Sequence, residues 1–200
     1  MNNKKKLNKV IGLMVIALST MFFSCSKTNN QKMRELELEL RTGYIDRYHN
    51  GATPTDRGVY VFPDKDQPAE EVSDKKLEDG QTVRVYYEGY LLEKGDDGVQ
   101  LKSERFDGNF DYKTGTQKYD PFQVEVVDQL KNPGKVSAVI SGWQIALLNM
   151  HKGERAEIVI PSSQGYSIRG SGSIGPYETL VFFMKVEEIV ETGNKEPIIE

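Results

Sequence analysis

The chain has 200 residues, 38% hydrophobic and 28% charged, which suits one domain with a modest extension and excludes a polytopic membrane protein or a wholly disordered chain. The formal charge is −4, and removing Lys4, Lys5, Lys6 and Lys9 takes it to −8; so acidic a body has no electrostatic reason to bind nucleic acid. A single cysteine, Cys25, and two histidines, His49 and His151, exclude internal disulfides, cysteine zinc sites and the HExxH motif.

The chain opens on an address. Lys4 to Lys6 form a positive n-region, and Val10 to Phe23 is an uncharged apolar run of 14 residues, too short for a span that needs about 20. It stops at Phe22-Phe23-Ser24-Cys25, which resembles a bacterial lipobox with phenylalanine where leucine is usual. The expectation is a lipoprotein signal peptide over 1–24, with Cys25 lipidated. A lipidated cysteine carries several acyl chains, each buried methylene contributing about 0.8 kcal/mol to anchoring. Cleavage at Ala17-Leu18-Ser19, giving a soluble secreted protein, and an uncleaved anchor are the alternatives. Residues 25–57 then read as a polar tether and a helix. Met33, Leu36, Leu40, Tyr44 and Tyr48 recur at helical spacing up to Asn50-Gly51, although Leu36, Leu38 and Leu40 also alternate as a strand would. Such a stripe packs on its own domain or on a second copy.

From residue 58 to 200 the dominant period is two. Val59-Phe62, Val83-Tyr90, Phe122-Val126, Ala156-Ile160 and Leu180-Val186 alternate, each a strand with one face on a core and the other more solvated. One helix interrupts them: Trp143, Ala146, Leu147 and Met150 share a helical face, His151 falls in its last turn, and Gly153 reads as the C-cap. The fold class is α+β, an antiparallel sheet covered on one face by a single short helix. Two long polar stretches, 102–120 and 162–175, read as loops, and loops of that length are often functional.

Several motifs fail on context. Gly170 to Gly175 spells GxGxxG, but Pro176 and a strand follow where a phosphate-binding helix would have to start, so it reads as a flexible loop. Gly165 to Arg169 misses GxSxG at its last position. The segment Val139-Ile140-Ser141-Gly142-Trp143 is more telling. Trp143 is the only tryptophan, and Tyr87, Phe122 and Phe182 lie on the inward faces of three strands opposite its helix. These aromatics are either a core or, with Tyr166 from the Gly/Ser loop, the lining of a cavity for apolar groups.

From about Gly80 to Val190 the chain resembles the FKBP-type peptidyl-prolyl isomerases, in six ordered blocks. They are Val85-Tyr86-Tyr87-Glu88-Gly89, Pro121-Phe122, Val139-Ile140-Ser141-Gly142-Trp143, Met150 to Ala156, Ile160-Pro161 through Tyr166, and Thr179-Leu180-Val181-Phe182. The resemblance implies a curved antiparallel half-barrel wrapped around one short helix. It implies a site of Tyr87, Phe122, Val139, Ile140, Trp143, Tyr166 and Phe182, with Trp143 as floor. The Ile140 N–H and the Tyr166 hydroxyl would bond carbonyls of a peptide or of a macrolide of the FK506 type. The family's Phe-Asp pair falls on Phe106-Asp107 or, by spacing from Gly98, on Leu101-Lys102. Phe106-Asp107 is preferred, because an ammonium only donates hydrogen bonds and resists burial in an apolar site. In the family this aspartate braces the strand tyrosine, here Tyr87. No metal or cofactor is implied. The function expected is isomerisation of X-Pro bonds in unfolded exported polypeptides by a membrane-anchored extracytoplasmic lipoprotein, facing the periplasm rather than the cell surface. The alternative is a peptide-binding or chaperone module with little turnover.

Overall fold

The computed structural model describes residues 27–50 and 52–190. Cys25 and the apolar run before it lie outside the described residues, and no described helix is long and apolar enough to cross a membrane. The described residues from 33 to 190 group as one compact unit; of the other, 1–32, only the tether end and the start of the first helix are described.

Helix α1 (Asn29–Tyr48) takes the helical alternative for the Leu36–Leu40 stretch. Thr28 and Gln31 cap its start by exchanging side-chain bonds with each other's backbone N–H at 3.3 and 2.8 Å, and Glu37 pairs with Arg41 one turn on at 2.8 Å. The strands follow in chain order: β1 (Tyr60–Pro63), β2 (Thr82–Gly95), β3 (Gly98–Leu101), β4 (Asp107–Gly108), β5 (Phe110–Asp111), β6 (Thr116–Gln117), β7 (Phe122–Glu125), β8 (Arg155–Ile160) and β9 (Leu180–Val190). Helix α2 (Ser141–Leu147) stands between β7 and β8. One sheet runs β1-β8-β9-β2-β3, with β7 and β4 also pairing with β2, and every pairing is antiparallel. The expected α+β architecture is therefore what the chain adopts.

Strand β2 is the spine. On one edge it pairs with β9 from Thr82↔Val190 to Leu91↔Leu180, through a bulge at Arg84/Val85. Its other edge is shared by β7, β4 and then β3, and the bulge adds local twist that helps the sheet curve. Val83, Val85, Ile158, Leu180 and Met184 of the inner face enclose Trp143, Ala146 and Leu147 of α2 in the main core.

Three expectations need correction. The outer face is less solvated than alternation suggested: Tyr44 and Ile45 of α1 are buried against Leu92, Val159 and Val181, a second apolar cluster. Of the helical stripe, Tyr44 is seated and Leu40 packs beside it, while Leu36 and Tyr48 remain exposed. Second, α2 ends at Leu147 rather than running to His151. The N–H groups of Asn149 and Met150 turn to Ala146 and Leu147 at 2.8 and 3.0 Å, and the Asn149 side chain takes the Ile145 carbonyl at 2.8 Å. Tighter turns keep winding in the same sense, so Met150 is still fully buried. His151 lies beyond the helix, its N–H and Nδ1 both on Glu154 Oε2 at 2.7 and 3.1 Å, and Gly153, at φ 85°, makes the turn into β8 rather than a helix cap. Third, the stretch 102–120, expected as a loop, carries β4, β5 and β6; the β2–β3 hairpin precedes it.

Candidate active site

Trp143 is the first large side chain of α2, and the helix presents it to the concave face of the sheet. Three rings stand nearly perpendicular to its indole: Tyr87 of β2 at 4.8 Å between centroids, Phe182 of β9 at 5.3 Å and Phe122 of β7 at 6.1 Å. Edge-to-face contacts of this kind add about 0.5–1.5 kcal/mol each beyond area burial. Burial is graded across the group. Trp143 and Phe182 are 5% and 3% exposed, while Tyr87, Phe106, Val139, Ile140 and Tyr166 are half-buried and Phe122 is 39% exposed. That gradient describes a cup with Trp143 and Phe182 beneath and the others around it.

The far wall is set by Gly89. Phe106 sits on Phe182 at 5.4 Å and 84°, and a methyl on Gly89 would lie 2.6 Å from Phe106 Cζ and 2.8 Å from Phe182 Cε1. Glycine is what lets both rings close on the strand. The Phe106 N–H bonds the Gly89 carbonyl at 2.9 Å, and β4 pairs Asp107 with Gly89. Asp107 thereby meets Tyr87: the Tyr87 hydroxyl donates to Asp107 Oδ2 at 3.0 Å, and Oδ1 accepts the Gly108 N–H at 2.8 Å. Burial, reinforced by the Asp107 charge and by nearby Tyr166, pushes the Tyr87 phenol well above its ordinary range, so at neutral pH it is a fixed donor. The other register lies elsewhere. Leu101 ends the β3 hairpin on the outer face, and Lys102 reaches Glu178 at 3.5 Å.

Val139 and Ile140 lead into α2, with Ile140 at φ −60° and ψ 152° as its N-cap. Among the described residues no acceptor meets the Ile140 N–H, and none meets the Tyr166 hydroxyl. Two polar side chains that the sequence reading passed over hold this frame. Gln144, 1% exposed, accepts the Val127 N–H at 2.7 Å and donates to the Glu125 carbonyl and the Ser137 hydroxyl at 2.8 and 2.9 Å. Ser137 in turn bonds both the carbonyl and the N–H of Val139. Asn109 imitates a strand residue: it accepts the Tyr87 N–H at 2.8 Å and donates to the Val85 and Asp120 carbonyls. In the sequence Gly89 stands only as part of a strand motif. A polar residue within an apolar helical stripe was the available signal for Gln144; nothing local marks Asn109.

The Gly170–Gly175 stretch is a hydrogen-bonded turn rather than a loose loop, with Ser171 and Ile174 paired and Ile174 buried. Among the described residues no three His, Cys, Asp or Glu side chains gather as a metal set. What remains is an aromatic cup with one braced phenol and two uncommitted donors. Such a cup receives an apolar ring and the carbonyls beside it without covalent chemistry.

The chain belongs to the FKBP-type peptidyl-prolyl cis-trans isomerases, the family that matches residues 73–187. Two relatives make the likeness concrete. It is 32% identical over 115 residues to FK506-binding protein 2 of Emericella nidulans, covering 58% of this chain and 69% of that one. With the FK506-binding protein of Streptomyces anulatus it shares 30% identity over 137 residues, 68% and 87% of the two chains. Among solved structures, a peptidyl-prolyl cis-trans isomerase of Pseudomonas syringae pv. tomato shares the fold at a TM-score of 0.56 and 23% identity, over 83% of this chain and 99% of that one. Membership of this family favours an isomerase over the non-catalytic binding module.

Proposed function

We propose that this prolyl isomerase binds X-Pro segments of unfolded exported polypeptides in the Trp143 cup while tethered outside the cytoplasm by a lipid on Cys25. The observation that carries the site reading is the pair of donors that meet no partner among the described residues, Ile140 N–H and Tyr166 hydroxyl, at the rim of an aromatic cup floored by Trp143 and Phe182. Proline packs on the indole, and the two donors take the carbonyls on either side. Val139, Phe106 and Phe122 close around the ring. Rotation about the X-Pro bond must break amide resonance, against a barrier of about 18–20 kcal/mol. The twisted amide is less dipolar than the planar one, so walls that solvate dipoles poorly favour it relative to water. Each factor of ten in rate needs only about 1.4 kcal/mol of such preference. The relatives' names point to FK506 as a ligand, and the same cup and donors are offered to a macrolide of that type.

The test is cis/trans exchange of a short X-Pro peptide, followed by NMR with the purified full chain. Trp143→Leu should fold and lose activity, and Tyr166→Phe should fold with a raised KM and a lower kcat/KM; a folded Trp143→Leu variant with full activity sinks the site reading. The anchor has its own test. Cys25→Ser should leave the membrane fraction or accumulate as precursor, and an unchanged mature mass at the membrane counts against lipidation.

A further inference from the structure

We propose that Glu37, far from the cup on α1, is a positioning residue for the isomerase site, holding Ser162, the residue from which the turn that carries Tyr166 is suspended. The inference rests on the reading that Tyr166 faces the substrate. Glu37 extends from α1 to the start of the 162–179 loop and is satisfied on both oxygens. Its Oε1 accepts the Ser162 N–H at 2.7 Å, an Arg41 guanidinium N–H at 2.8 Å and the Thr179 hydroxyl at 3.4 Å; its Oε2 accepts the Ser162 hydroxyl at 2.8 Å. The carboxylate is 10% exposed, and Ser162 and Thr179, the two ends of the loop, are buried. Charge-assisted bonds in so dry a place are short and directional, and they fix the groups they join.

What Glu37 holds leads directly to Tyr166. The Ser162 carbonyl accepts the N–H of Gly165 at 3.0 Å and that of Ser167 at 2.8 Å, the residues on either side of Tyr166. Both neighbours of the tyrosine are thus tied through their own N–H groups to one residue, and that residue is fixed through its N–H and hydroxyl by Glu37. The geometry so held is not one the chain adopts freely: Ser167 sits at φ 53° and Tyr177 at φ 59°, a region that side-chain-bearing residues occupy only under constraint. The Tyr177 N–H bonds the Ser167 carbonyl at 2.8 Å, and α1 touches it again where the Arg34 guanidinium lies 5.3 Å over its ring. The helical extension outside the family match therefore acts on the substrate loop at two points.

The experiment compares Glu37→Ala, Glu37→Gln and Ile45→Val in the full chain. Ile45→Val trims the packing of α1 on the sheet without touching the loop. Two quantities are read: KM and kcat for an X-Pro peptide, and amide hydrogen exchange at Gly165 and Ser167 with the β8–β9 amides as reference. Glu37→Ala should raise KM about five- to tenfold, with kcat within about twofold, because the Tyr166 bond serves ground and transition states alike. The Gly165 and Ser167 amides should lose protection while the sheet keeps its own. Glu37→Gln, whose carbonyl still accepts the Ser162 N–H, should recover part of both. Ile45→Val should lower Tm and leave KM and loop exchange as in the wild type. Should Glu37→Ala not fold, Glu37→Gln decides by the same two readouts. An active wild type with unchanged KM and loop exchange in the Glu37 variants overturns the positioning role alone, as does an Ile45→Val variant that weakens both to the same degree. A wild type that does not isomerise the peptide removes the site reading, and the positioning role with it.

Discussion

Gly89→Ala is the sharpest perturbation of the cup that leaves every polar group in place. An added methyl would lie 2.6 and 3.0 Å from Phe106 carbons and 2.8 Å from Phe182 Cε1, against a comfortable carbon–carbon separation of about 3.5–4.0 Å. The strand cannot yield easily. Gly89 pairs with Phe182 on one edge and Asp107 on the other, and its carbonyl accepts the Phe106 N–H at 2.9 Å. The two rings must therefore retreat by about 1 Å, the size of misfit that costs about 1–3 kcal/mol in a packed core. Phe106 and Phe182 are wall and floor of the cup, so part of that cost should appear in binding and lower kcat/KM by up to about tenfold. Urea unfolding reads the stability and peptide exchange reads the activity. Gly134→Ala is the control, since an added methyl there meets nothing within 4 Å, and its effect should stay within about 0.5 kcal/mol. If Gly89→Ala matches the wild type in both stability and kcat/KM, the rings are not held against the strand as described.

Asp107→Ala removes the acceptor of the Tyr87 hydroxyl and should reduce turnover or ligand affinity, while Lys102→Ala, bonded to Glu178 away from the cup, should leave both near wild type; the reverse pattern would transfer the carboxylate role. Trp143, as the sole tryptophan, should change its fluorescence when an X-Pro peptide or an FK506-type macrolide is added, and unchanged emission at saturating ligand would place the ligand elsewhere. Glu88 is buried on the outer face of β2, and that burial raises its carboxyl above the ordinary glutamate range despite the opposing pull of the nearby Tyr90 hydroxyl and Tyr112 backbone N–H. A raised carboxyl contributes stability that is present below the unfolded value, about 4.3, and lost as pH rises through the folded one. Glu88→Gln should therefore gain stability over wild type at pH 8 relative to pH 4 in urea midpoints; an equal difference at both pH values would contradict the assignment.

The inner lining of the fold was legible because each part of it is a local pattern. Period two in Val83-Val85-Tyr87 and Leu180-Phe182-Met184 marks which side chains share a sheet face, and period 3.6 in Trp143-Ala146-Leu147-Met150 marks the helix they enclose. The block Val139 to Trp143 then placed an indole against those strands. Even the helix end that was misjudged obeys the pattern, since Met150 is buried whether its turn is α-helical or tighter. The pairing of Tyr87 with Asp107 needed chemistry as well as pattern: of the two registers, only one supplied an acceptor.

Other features have no local trace, because they depend on what a side chain meets across the fold. Asn109 looks like any loop asparagine until β2 brings the Tyr87 N–H and the Val85 carbonyl within its reach. Periodicity left Leu36–Leu40 open between helix and strand, and it could not say that Glu37, between two leucines, turns inward to the Ser162 N–H. The outer face of the sheet alternated like a solvated one; only the return of α1 and of residues 105–120 across it made Val159, Val181 and Glu88 interior. Sequence by itself determined the faces of the elements, through steric periods of two and 3.6 residues. Which distant group satisfies each buried donor and acceptor was decided by tertiary structure alone, since a hydrogen bond depends on a distance of about 3 Å in space and not on separation along the chain.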